Sequence, residues 1–172
     1  MMGVGTMTSS LEATWANFFI TAAGASGALV GLVIVAVSVN VREILAHQQL
    51  PSRAGATIGA LVLILVSSMF ALVPQPLAPL GAEILASGLV AWLLQMWSAH
   101  QLIAVQTKTT MSVRQLVFGI AIGHIPVIPF LVGAILLFLG QSGGVYWVAL
   151  GVVAVFAGSV LNTWILLVEI LR

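Results

Sequence analysis

The chain has no aspartate and no cysteine, and only 5% of its 172 residues are charged. Each absence excludes something. Without cysteine there are no disulfides and no thiolate metal sites. With glutamate as the only acid, and four of those, no metal or redox centre is expected, and no cofactor. Five basic residues against four acidic ones leave a net charge of +1. That is no basic surface for nucleic acid. Residues Met1 to Ser10 hold no Lys or Arg, whereas a secretory leader opens with positive charge. We therefore expect no cleavable signal. The H-E-x-x-H, Walker and G-x-S-x-G signatures are also missing. We expect no enzyme, and no catalytic residue is assigned.

What is present is apolar. Hydrophobic residues make up 61% of the chain and mean hydropathy is +1.21. Soluble domains carry about 25% charged residues. A soluble fold this apolar would have nothing to put on its surface, and lipid removes that difficulty. The expectation is an all-α, polytopic transmembrane bundle in one domain, with lipid as its surroundings.

A span needs about 20 mainly apolar residues. Five segments qualify: Trp15 to Val41, Gly55 to Val73, Leu80 to Val105, Gln115 to Leu139 and Val145 to Leu171. Residues 1–14 read as a short extracytoplasmic tail, and 15–172 as the bundle. Arg42, Glu43 and the His47–Arg53 stretch separate the first two spans, with Pro51 read as a helix stop. Pro74, Pro76 and Pro79 make an extended turn. Polar Gln106 to Arg114 and the Gly140–Gly144 turn separate the rest. Short connections make consecutive helices antiparallel neighbours.

Charge orients this bundle. Arg42, Arg53, Lys108, Arg114 and Arg172 all fall on one side. Cytoplasmic loops carry the Lys/Arg excess, which predicts an N-out, C-in chain. Trp15, Tyr146 and Trp147 then lie at the outer interface, where aromatic belts form.

Helices in lipid associate where small residues let backbones approach. Gly24, Gly27 and Gly31 lie on the first span, and Gly151 and Gly158 on the fifth. They fit a homo-oligomer seam or packing within one bundle, and the sequence leaves both open.

Polar groups inside a membrane default to functional hypotheses. Counting helical rise from the inner ends puts Gln95, His124 and Asn162 at one level, roughly 13 to 15 Å deep. They form a constriction, a proton relay or a solute-contact layer, or else a hydrogen-bond network that joins helices. Pro126 and Pro129 follow His124, free the carbonyls of Ile122 and Ile125, and kink the helix. Glu83 lies under the outer surface and, with Glu12, makes that face acidic and able to attract cations. Asn40, Arg42, Glu43 and Glu169 form an inner rim, where Glu169 can pair with Arg42 or Arg53. Gly24-Ala25-Ser26-Gly27 has the G-x-S-G pattern of rhomboid intramembrane proteases, but helical rise separates Ser26 from His124 by about 6 Å in depth.

Three stretches taken together carry a family resemblance. They are Trp15-Ala16-Asn17-Phe18-Phe19 with Ala22-Ala23-Gly24-Ala25, then Val35 to Asn40, and Leu161-Asn162-Thr163-Trp164 running to Leu171. With Leu50-Pro51 before Arg53-Ala54-Gly55, and the Val73-Pro74 turn, the chain resembles a widespread group of small, uncharacterised bacterial multi-pass membrane proteins. Some bear the label "modulator of FtsH protease". The resemblance implies a bacterial plasma (inner) membrane location. It brings no motif that explains an activity. Two functions are expected from the residues: an oligomeric ion channel or small-solute permeation protein, or a regulatory or scaffold subunit that binds another membrane protein such as a membrane protease.

Overall fold

The computed structural model describes residues 3–46, 50–106 and 113–170. Every regular element among them is a helix. In chain order these are α1 (Gly3–Val39), α2 (Val41–Ala46), α3 (Leu50–Leu72), α4 (Leu77–Gln106), α5 (Val113–His124), α6 (Val127–Phe138) and α7 (Gly144–Ile170). Four stretches are long and apolar enough to cross a membrane: Trp15–Val39 in α1, Leu50–Leu72, Leu77–Gln101 in α4 and Gly144–Trp164 in α7. They match the first, second, third and fifth segments read from the sequence. The protein has the helices of a multi-pass membrane protein.

The fourth segment is different. A single helix was expected from Gln115 to Leu139, but two helices of 12 residues each occupy it, broken at Ile125 and Pro126. Neither reaches the about 20 residues that a span needs. The prolines explain the break. Pro126 has no N–H for the Ile122 carbonyl, and Pro129 has none for that of Ile125. The Ile125 carbonyl instead accepts the N–H of Ile128 at 3.3 Å. Pro126 keeps helical angles, φ −64° and ψ −27°, so the chain kinks without unravelling.

Two other prolines open helices. Pro51 is the second residue of α3 and Pro79 the third of α4. In a first turn the missing N–H is not needed. Pro51 therefore does not stop a helix, as the sequence suggested. It lets α3 begin at Leu50, a turn before the Gly55 start expected, and makes Arg53 helical. The turn after α6 follows expectation: Gly140 takes φ +78°, and the N–H groups of Gly140 and Gln141 donate to the carbonyls of Leu137 and Leu136 at 2.8 and 2.9 Å. That left-handed cap favours glycine.

Helix α3 is central and packs against α1, α4 and α7, while α6 closes the group against α4 and α7. Ile64, Ile84, Phe130 and Ala134 are fully buried among these five helices. Close approach of α6 to α7 depends on glycine. A Cβ on Gly133 would lie 2.5 Å from the backbone nitrogen of Val148, and one on Gly144 would lie 2.6 Å from the Gly133 carbonyl oxygen. Helix α1 rides outside α3. Trp15, where the apolar stretch of α1 begins, lies edge-on to Tyr146 near the start of α7, at 5.0 Å between ring centroids.

Candidate functional site: a buried polar layer at a helix break

The site begins with α3. Because Pro51 starts that helix early, Arg53 and Thr57 fall one turn apart on its buried face. Arg53 is only 8% exposed. One of its guanidinium nitrogens donates to Asn162 Oδ1 on α7 at 3.4 Å. The opposite wall is α4, where Gln95 and Ser98 lie one turn apart and both are buried. Gln95 Nε2 donates to the Ala56 carbonyl of α3 at 3.5 Å. That turns Gln95 Oε1 toward Gly123, where an added Cβ would meet it at 2.7 Å. Gly123 thus lets α5 come close to Gln95. The next residue, His124, ends α5.

His124 Nδ1 lies 3.0 Å from the Ile120 carbonyl oxygen, one turn back. A carbonyl only accepts, so Nδ1 carries a proton. The other ring nitrogen, Nε2, is buried and has no hydrogen-bond partner among the described residues. Buried polar atoms are nearly always bonded, so an orphan of this kind calls for an explanation.

These residues line a partly open cavity of about 20 Å³: Arg53, Ala56, Gln95, Ser98, Ala99, Ile120, Gly123, His124 and Asn162. That is room for about one water-sized ligand. A second void, about 10 Å³, adjoins it through Gln95, Gly123 and Asn162 and reaches Thr57, Gly158 and Ser159. Beyond lies an apolar layer. Ile64, Ile84, Phe130 and Ala134 are at 0% exposure. Along α3 the next polar side chain after Thr57 is Ser67, about 15 Å further by helical rise.

The layer expected from the sequence therefore assembles: Gln95, His124 and Asn162 line one cavity. Glu83 does not join it. It sits at the other end of the bundle, half-buried, and accepts a hydrogen bond from Gln75 Nε2 at 2.7 Å. Arg53 was read as a loop charge. It belongs to the layer because its helix starts earlier than expected. Pro51 followed two residues later by Arg53, then Thr57 one turn on, was the available signal.

The small residues divide. A Cβ on Gly151 would meet Phe130 backbone atoms at 2.7 Å, so Gly151 serves packing between α6 and α7. Gly158 is buried and lines the smaller void. Gly24, Gly27 and Gly31 have nothing within 4 Å of an added Cβ. Helix α1 turns Phe19, Ala22, Ser26 and Val33 toward the bundle, which leaves Gly24, Ala28 and Gly31 on the exposed face. Ser26 donates to the Ala23 carbonyl of its own helix at 2.9 Å, and none of the described α1 side chains lines the His124 cavity. The serine–histidine pairing is thus not formed.

Of the inner rim, Asn40 Nδ2 donates to the Ala36 carbonyl one turn back at 3.0 Å, and Arg42 is exposed. The side chains of Glu43, Glu169 and Glu12 lie outside the described residues, as do Lys108 and Arg172. No group of His, Cys, Asp and Glu that could hold a metal occurs among the described residues.

Compared with known proteins, the chain matches no family model, no curated sequence and no solved structure.

Proposed function

We propose that the protein passes a small ion or solute across a bacterial plasma membrane, with the layer of Arg53, Gln95, His124 and Asn162 as its selective constriction. One observation carries this reading. Side chains from four helices converge on a cavity at the break between α5 and α6. Polar groups at this depth are costly, and discontinuous helices recur where transporters hold their substrates. The apolar layer of Ile64, Ile84 and Phe130 is the closed gate, and hydrophobic constrictions gate by dewetting.

In this reading α5 and α6 together make a fifth crossing. With the two residues of the break, Val113 to Phe138 is 26 residues and reaches at most about 39 Å, enough for about 30 Å of hydrocarbon. Arg42, Arg53 and Arg114 share one end, which supports an N-out, C-in orientation. The family resemblance supports the bacterial membrane.

The test is flux. Purified protein in liposomes should carry a small solute or ion, and Asn162→Leu should cut that flux at least tenfold. Liposomes no leakier than empty ones would refute permeation. The second reading, a scaffold subunit that docks another membrane protein or a second copy of itself, draws on Gly24, Ala28 and Gly31 facing outward from α1 with open space at the two glycines. It expects Gly27→Leu or Gly31→Leu to abolish partner or self-association and His124→Ala to leave it unchanged.

A further inference from the structure

We infer that the larger void of the layer and the smaller one adjoining it are two binding sites for small neutral molecules that both donate and accept hydrogen bonds, of the size of water or ammonia. The inference rests on the reading of the layer as the place where a solute is held, and it names that solute's class.

The walls decide the class. Gln95 and Asn162 line both voids, and each is more than nine-tenths buried, at 7% and 8% exposure. Gln95 Nε2 is turned to the Ala56 carbonyl. Its Oε1 faces Gly123, which also lines both voids. Among the described residues that oxygen has no hydrogen-bond partner. Asn162 is the mirror case. Its Oδ1 accepts from Arg53, so its amide N–H groups are the part left to face a ligand. An acceptor and a donor therefore meet where the two voids join.

Hydroxyls stand further along. Ser98 lines the larger void, and Thr57 and Ser159 line the smaller. Thr57 gives its proton to the Arg53 carbonyl at 2.9 Å, which leaves its oxygen to accept. A serine hydroxyl can donate or accept.

Such a wall disfavours ions of both signs. An anion meets the oxygens of Gln95 and Thr57. A cation meets the Asn162 N–H groups, and among the described residues no carboxylate lines either void. Arg53 is already bonded to Asn162 and is engaged further, so its charge is not counted toward a ligand. A neutral molecule with both a hydrogen to give and a lone pair satisfies Gln95 and Asn162 at once. Buried polar groups are rarely left unbonded.

Volume limits the size. One water needs roughly 10–15 Å³, and the voids measure about 20 and 10 Å³. Each takes one molecule of that size, and two in contact make a short file. A hydrated ion or a sugar is too large for either.

The experiment uses the full-length protein in liposomes. Water flux is read by light scattering after an osmotic step, and ammonia flux by an internal pH dye after an ammonium gradient. Potassium and chloride fluxes are read by ion-selective electrodes. Water or ammonia should cross faster than in empty liposomes, and the two ions should not. The neutral solute that gains more is the permeant. Ser159→Leu fills the smaller void and should cut that flux at least tenfold. If this variant does not fold, Ser98→Leu puts the same question at the larger void. An experimental structure that shows ordered solvent gives an independent readout: each void should hold one molecule bonded to Gln95 Oε1 or Asn162 Nδ2. Potassium or chloride flux above that of empty liposomes refutes the inference and keeps permeation. Ordered solvent in both voids with no flux of any kind keeps the inference and refutes permeation. Neutral flux untouched by either substitution, or voids without ordered solvent, overturns it.

Discussion

The two ends of the bundle hold polar clusters of similar composition that are built in opposite ways. At one end Gln75 Nε2 bridges the Phe70 carbonyl and Glu83, and Ser87 touches Ser67 at 3.1 Å. Those partners are 5 to 20 residues apart in sequence and fasten the turn between two adjacent helices. At the other end Arg53 meets Asn162 across 109 residues, and Gln95 meets Ala56 across 39. The first cluster is half-buried, and the second is almost wholly removed from the surface. The contrast teaches that the near-surface cluster is a clasp. The buried one exists only because four helices place it there, and it leaves a nitrogen unmatched among the described residues.

That contrast can be broken by substitution. The largest effect should come from the apolar layer that keeps the clusters apart. Phe130 is fully buried, and Phe130→Ala should lower stability by about 3–5 kcal/mol, read from unfolding in detergent. A loss under about 1 kcal/mol would mean that the layer is loosely packed.

Next come the clusters themselves. Asn162→Leu takes an acceptor from a buried guanidinium and should cost about 1–3 kcal/mol. Gln75→Leu at the clasp should cost about 0.5–1.5 kcal/mol. If the order is reversed, the two ends have been misjudged.

Gly123→Ala should match the clasp in size. Its Cβ would press on Gln95 Oε1, the far end of a flexible side chain, so the amide should swing at a cost of about 1 kcal/mol. The Gln95 side-chain amide signals in NMR should shift while those of Gln75 stay in place.

The smallest effect is expected outside both clusters. Gly31→Leu meets open space and should change monomer stability by no more than about 0.5 kcal/mol. Native mass spectrometry of the same variant then reports on association. A retained oligomer would remove α1 as its seam.

Much of this was legible in the residues. Apolar runs of spanning length fixed α1, α3, α4 and α7, because length and hydropathy are properties of a segment alone. Helical rise put Gln95, His124 and Asn162 at one depth, because rise per residue hardly varies. Arg53 was missed, since a charge next to a proline reads as a loop until the helix start is known. Glu83 is legible as a residue near the opposite surface from the layer, and it lies at that other end of the bundle, bonded to Gln75.

The sequence by itself determined that this is a helical chain with several helices able to cross a membrane, and that prolines 126 and 129 interrupt one apolar segment. Those outcomes follow from local chemistry: side-chain hydropathy and the missing N–H of proline. Only the tertiary structure decided which face each helix turns inward. It put Gly151 against Phe130 and left Gly31 facing out, and it drew Arg53 into the bundle to meet Asn162. Residues of one type in similar helices differ there because packing depends on the neighbour across the gap, and no segment carries that information alone.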